Sequence, residues 1–294
     1  MKDYFETIEK QIEGNRGSNL FQEGAEPPLR FFDETLQAIA NLRETTIENE
    51  TLLIDYATDK AIDAFCHANQ YYLFSSEAKQ ALRTLYHNLY QSLRSGTEST
   101  ADIEKHHYQQ LKAWLEESNP FAAKLYAGAG NRITPVACAE YSPEIQCDLL
   151  KVKADSLMEP ILDIGCGRQA QLVRHLNALG LLTTGIDRFA PAEERLIRAD
   201  WLAFHYEPNT WGTIVSHLGF SNHFRHHNAR EDGNFIAYAQ TYMTILQSLK
   251  KGGCFHYAPD LPFIELYLDP LQFRITKYPI EGYDLCTSRI ERIA

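Results

Sequence analysis

The 294-residue chain is 44% hydrophobic, 23% charged and 12% aromatic, which excludes a disordered or fibrous protein and gives length enough for two domains. Its net charge of -11, from 28 basic and 39 acidic residues, disfavours a counterion-release footprint on a nucleic-acid backbone. No run nears the roughly 18 apolar residues of a membrane span, and the start MKDYFETIEK lacks the apolar core of a signal peptide, so a cytoplasmic protein is expected.

Up to about residue 130 the apolar residues recur at three- and four-residue spacing, as in Leu82, Leu85, Tyr86, Leu89, Tyr90 and Leu93. This predicts helices over 3–13, 31–43, 47–67, 77–95, 103–118 and 120–127, separated by turn-rich pieces such as GAEPP at 24–28 and SGTEST at 95–100. The half is rich in aromatics, among them Tyr4, Phe31, Tyr72 and Phe74, which suit either the core of a helix bundle or a lid over a ligand. Residues 1–130 are accordingly assigned to a helical cap domain and 131–294 to a second domain.

From residue 160 short apolar runs alternate with helical stretches, the pattern of a parallel α/β sheet. Strands are predicted at 161–165, 183–187, 195–200, 212–218 and 254–260, with helices at 169–179 and 235–250, the latter ending at Gly252–Gly253. Segments 273–279 and 285–293, joined by the Gly282 turn, complete the sheet as an antiparallel pair. The six cysteines, Cys66, Cys138, Cys147, Cys166, Cys254 and Cys286, form no CxxC pair, which points to reduced thiols.

The first strand runs into ILDIGCGRQ, where Gly165 and Gly167 let a ligand lie against backbone at the start of a helix. GCGRQA also fits the loose dinucleotide fingerprint, so the glycines alone leave a nicotinamide cofactor open. Charge separates the options. Asp163, on the strand tip, would repel a pyrophosphate by about 4 kcal/mol at 4 Å and an effective dielectric near 20, and would attract an amino group or sulfonium. Asp187 closes the second strand, where a carboxylate can take ribose hydroxyls, and Arg188 follows it. Asp200 and Trp201 end the third strand, where they suit an adenine amino group and ring.

On DIGCG at 163–167, Asp187, ADW at 199–201, VSHL at 215–218 and KKGGCF at 250–255, the chain resembles the class I, Rossmann-like methyltransferases that use S-adenosylmethionine (SAM), over residues 138–294. The resemblance implies a doubly wound α/β sheet of seven strands, the last antiparallel, which follows the N-terminal helical cap read from the spacing of residues 1–130. It implies that Asp163, Gly165, Cys166 and Gly167 cradle the methionine part, Asp187 and Arg188 the ribose, Asp200 and Trp201 the adenine, and Ser216, His217 and Leu218 the reaction face. The third glycine common in that loop is Gln169 here. AEYSPEIQCDLL at 139–150 resembles the helix that leads into this loop, with Glu140, Tyr141 and Gln146 in reach of a ligand; a Tyr141 ring facing a sulfonium would add cation–π attraction.

The run SHLGFSNHFRHHN supplies His217, Asn222, His223, His226 and His227, with His256 on the fifth strand. It lacks the cysteines or HExxH glutamate of a recognised metal pattern, so no metal is expected, and His217, Asn222, His223 and Tyr141 are the candidate catalytic residues. Tyr257, Asp260 and Glu265 are further candidates for the same pocket. The segment after the fourth strand has no (D/N)PP(Y/F) tetrapeptide, which argues against an adenine base as target. Methyl transfer to a small metabolite is the first reading. The alternatives are attack on the aminocarboxypropyl chain, as in nicotianamine synthase-like or azetidine-2-carboxylate synthase-like SAM lyases and cyclases, and a non-catalytic SAM-binding interaction protein. The expected partner is a small-molecule substrate, with neither nucleic acid nor membrane, and a homodimer is one option for assembly.

Overall fold

The structure, a computed structural model, describes residues 2–22, 29–41, 47–127, 130, 132–133 and 141–294. The chain divides into two compact units, Met1–Ala137 and Cys138–Ala294.

The first unit is helical: α1 (Lys2–Asn15), α2 (Asp33–Asn41), α3 (Ile47–Ala68), α4 (Ser76–Ser95), α5 (Thr100–Ser118) and α6 (Phe121–Tyr126). The turn residues act as caps. Ser75 accepts from the Ala78 N–H and Ser99 from the Asp102 N–H, while Gly96 ends α4 at a φ of 63°. Trp114 on α5 stacks on Phe74 at 4.9 Å and donates its indole N–H to the Ala78 carbonyl, joining α5 to the start of α4.

The second unit holds α7 (Pro143–Leu150), β1 (Ile161–Ile164), α8 (Gln171–Ala178), β2 (Thr183–Asp187), β3 (Leu196–Arg198), β4 (Trp211–His217), α9 (Phe220–Asn228), α10 (Phe235–Ser248), β5 (Leu249–Ala258), α11 (Pro262–Glu265), β6 (Phe273–Pro279) and β7 (Cys286–Arg292). The described strands form one seven-stranded sheet in the order β3-β2-β1-β4-β5-β7-β6, parallel except where β7 pairs antiparallel with β5 and β6. Strand alternation divides the core. Leu162, Ile164 and Ile214 pack against Phe220, Phe224, Tyr238 and Tyr242 of α9 and α10 on one face. Ile161 and Val215 pack against Leu150, Leu172 and Leu176 of α7 and α8 on the other.

Three elements differ from the expectation. The helix expected to reach residue 250 stops at Ser248, and β5 begins at Leu249, because the register slips between Trp211 and Thr213 and lets Lys250–Gly253 bulge. A Cβ on Gly253 would lie 2.7 Å from the Gly212 carbonyl oxygen, so this crossing needs glycine. Helix α9 was not among the expected helices; its signal was Phe220, His223, Phe224 and His227, spaced as one helical face. The helix expected at 139–150 begins at Pro143, and Glu140 lies outside the described residues.

Candidate functional site

Sheet register brings the charged strand tips together. Asp163 pairs with Gly185 of β2 and with Val215 of β4, so two residues further on Asp187 and His217 share the sheet face of Asp163 at the carboxyl ends of three adjacent strands. This is the face of α7 and α8, and the Asp163 charge reaches Cys147 on α7.

The two buried carboxylates serve different purposes. Asp187 is committed to the chain: it accepts from the Gly167 N–H at 3.2 Å and the Phe189 N–H at 2.7 Å, tying the glycine turn to the end of β2. Asp163 is 1% exposed, and its Oδ2 has no hydrogen-bond partner among the described residues. Burial, helped by repulsion from Asp187, pushes its pKa up to about 7. A carboxyl left in that state is matched by a cationic hydrogen-bond donor.

His217 carries the second orphan on this face. Its Nε2 is buried without a partner among the described residues, and burial lowers the imidazole pKa to about 4, so at neutral pH the ring is uncharged. The Tyr141 ring meets it edge to face at 5.1 Å. Two expected catalytic residues, far apart in sequence, thus lie side by side at the end of β4.

The glycine turn follows β1 directly. Gly165 takes a φ of 82°, and a Cβ there would come 3.1 Å from the Trp201 ring and 3.6 Å from the Gly219 Cα. Gly219, which opens α9 and was missed in the sequence, brings the β4–α9 backbone against the β1–α8 turn; a glycine directly after a strand was the available signal. Past Gly167, at a φ of 74°, Ala170 adopts a left-handed φ of 47° as it enters α8, one residue beyond the Gln169 that replaces the usual third glycine.

Other expected site residues have their side chains committed elsewhere. The Cys166 thiol turns under the sheet: a Cβ on Gly185 would come 2.8 Å from its sulfur, leaving backbone as its contribution to the turn. Ser216 donates to the Ile164 carbonyl at 2.8 Å and accepts from the Phe220 N–H at 3.1 Å, so its hydroxyl links β1, β4 and α9. Asp200 is exposed and accepts from the Leu202 N–H at 2.9 Å. The Trp201 ring packs against Gly165, Phe220 and His223. Arg188 is half-buried, its guanidinium over the Phe189 ring at 5.2 Å and within electrostatic reach of His223. Asn222 is half-buried in the first turn of α9.

His223 corrects an expectation. As a member of the inward face of α9 it is 5% exposed, meets Trp201 edge to face at 4.9 Å and lies 3.5 Å from the Tyr238 hydroxyl, so it belongs to the aromatic core rather than to an open wall. His227 stacks on Tyr238 at 4.8 Å, His226 lies 3.1 Å from the Arg230 guanidinium, and His256 contacts the Leu150 carbonyl. Among the described residues no group of three or more His, Cys, Asp or Glu could hold a metal ion. Tyr257, Asp260 and Glu265 join a different network. The Tyr257 hydroxyl and Ser288 donate to Glu265, while Lys277 pairs with Glu265 and Asp260, each at 2.7 Å, fastening α11 to β6 and β7.

The sheet order and its antiparallel β7 give the second unit the class I SAM-methyltransferase fold, with the Gly165–Gly167 turn at its β1–α8 switch point. No family model and no curated protein matches the sequence. Solved structures similar to this chain include N-methyltransferase NodS from Bradyrhizobium japonicum WM9, in complex with S-adenosyl-L-homocysteine (16% identity, 51% of this chain and 86% of that one, TM-score 0.38). Others are the antibiotic-resistance methyltransferase Kmr (14% identity, 53% and 96%, TM-score 0.34) and a methyltransferase from Methanococcus maripaludis described as S-adenosyl-L-methionine-dependent (15% identity, 52% and 85%, TM-score 0.35). No helix among the described residues is long and apolar enough to cross a membrane.

Proposed function

We propose that the second unit binds SAM at the carboxyl ends of β1, β2 and β4, and that the protein is a SAM-dependent transferase that methylates a small molecule. The observation that carries this reading is the unpartnered Asp163 Oδ2 beside a glycine turn. It fits the ammonium of a methionine chain and opposes the pyrophosphate of a dinucleotide, which would meet Asp163 and Asp187 together. Asp163 would hold the amino group, the backbone of Gly165 to Gly167 the rest of the methionine part, and Asp187, at the end of β2, the ribose. Bound SAM supplies an electrophilic methyl carbon on a sulfonium, a reaction served by alignment and exclusion of water more than by acid–base groups. His217 and Tyr141 stand where an acceptor would be oriented. The neutral His217 Nε2 offers a lone pair to an acceptor O–H or N–H, or a proton in the other tautomer.

Calorimetric titration with SAM tests the reading. A saturable single site, weakened at least thirtyfold in Asp187→Ala, is expected, since that change frees both N–H groups that fix the turn. Absence of binding by the intact protein overturns it. Incubation with SAM alone is expected to give no sustained turnover; steady release of methylthioadenosine would replace methyl transfer by attack on the aminocarboxypropyl chain.

A further inference from the structure

The helical unit contains a cavity of about 200 Å³ that the SAM site does not use. Helix α3 shows how it arises. Ala57, Ala61, Ala64 and Ala68 recur at four-, three- and four-residue spacing, so they lie along one helical face, and all four line the cavity. Methyl groups along a whole helix face leave space that leucines would fill. For scale, a cavity of roughly 150 Å³ lined by aliphatic and aromatic side chains accepts benzene.

The wall also carries polar groups that the fold leaves unsatisfied. His107 and Tyr90 are each 7% exposed, and neither His107 Nδ1 nor the Tyr90 hydroxyl has a hydrogen-bond partner among the described residues. The His107 ring is flanked by Phe31 at 5.9 Å and Tyr86 at 5.7 Å, both also in the wall. Arg16 is the one Lys, Arg, Asp or Glu among the described lining residues, and it pairs with Glu13 at 3.0 Å. An occupant therefore meets many rings and methyls and, in the wall, two buried polar atoms without partners among the described residues. A hydroxyl suits the His107 nitrogen because it both donates and accepts, matching either imidazole tautomer.

We propose that this cavity binds a neutral aromatic molecule of one or two fused rings bearing a hydroxyl group, its rings against the alanine face of α3 and its hydroxyl at His107. Burial lowers the His107 pKa to about 4, which keeps this end uncharged near neutral pH. The site lies wholly among residues of the first unit and does not depend on the SAM reading.

2-Naphthol is the probe, titrated into the full-length protein by calorimetry and followed at the His107 imidazole by NMR. One saturable site, a higher Tm and a shift of the His107 ring resonances are expected. Ala61→Phe, which fills the cavity, should weaken 2-naphthol at least tenfold with the helical circular dichroism retained. Should Ala61→Phe unfold, the milder Ala64→Leu serves in its place, with the same loss expected. His107→Phe should weaken 2-naphthol at least tenfold while changing naphthalene less than threefold. No saturable binding, binding without a His107 shift, or binding unchanged in a folded cavity-filling variant overturns the proposal.

Discussion

In the sheet unit, a Cβ added to Gly185 would lie 2.8 Å from the Cys166 sulfur, and one added to Gly212 would lie 2.4 Å from the Met158 carbonyl oxygen. In the helical unit, four alanines of α3 instead face a cavity of about 200 Å³. Both interiors hold buried polar atoms without partners, Asp163 Oδ2 and His217 Nε2 in one, Tyr90 Oη and His107 Nδ1 in the other. The close-packed sheet edge has little room to shift and relieve them, and under the proposed reading a ligand of fixed charge and position does so. The helical interior leaves room beside the alanine face of α3, where an apolar occupant would gain roughly 25 cal/mol per Å² of surface removed from water.

The largest expected effect comes from Asp163→Asn. Removing the charge should weaken SAM at least a hundredfold, because the ammonium loses its ionic acceptor. The same change should stabilise the ligand-free protein at pH 8 by about 1–3 kcal/mol, since a carboxyl whose pKa lies near 7 when folded is ionised there at a cost that an amide avoids. Thermal melts with and without SAM check both signs. A variant that binds SAM normally, or a ligand-free protein made less stable by the change, would break the assignment of strain to this carboxyl.

The sheet unit was legible because its signals are local: strand runs with acidic tips, a glycine pair, and a charge logic that works in one dimension. What the sequence left out is orientation. Ser216 and Cys166 lie beside the site, yet strand parity and the β1–α8 turn direct their side chains into the scaffold. His223 reads as a polar wall residue until α9 is recognised, and its helical phase places it with Phe220 and Phe224. The cavity was harder still. Alanines at helical spacing read as ordinary core, and whether the opposite wall reaches them is decided by tertiary spacing that no local pattern encodes.

Single-site additions of volume test the packing contrast directly. Gly185→Ala should destabilise the sheet unit by about 1–3 kcal/mol, because its methyl meets both the Cys166 sulfur and a Val173 methyl at 2.8 Å. Ala64→Leu should stabilise the helical unit by about 1 kcal/mol, since the added carbons gain contact with the apolar walls of the cavity. Denaturant unfolding of the two variants measures the pair. Equal destabilisation by both would mean that α3 is packed as tightly as β2.

Titration separates the two interiors by a smaller, continuous effect. Asp163 in the free protein holds a proton up to about pH 7, and binding an ammonium requires that proton to leave. SAM affinity should therefore be greatest between about pH 7 and 8, fall by up to tenfold per unit below pH 7, down to the carboxyl pKa of the complex, and fall again above about pH 8 as the α-amino group of the ligand loses its proton. The stability of the free protein runs the other way. Its folded pKa exceeds the unfolded value of about 3.9, so this group's contribution is fully present below pH 4 and is lost as the pH rises to 7. His107 has no such transition in the range, its pKa lying near 4. The affinity for 2-naphthol should stay within twofold from pH 6 to 8, while calorimetry in buffers of different ionisation enthalpy detects proton release for SAM at pH 6. Matching pH profiles for the two ligands would show that one titrating group governs both, and would remove the distinction between a charge-matched sheet edge and a neutral helical cavity.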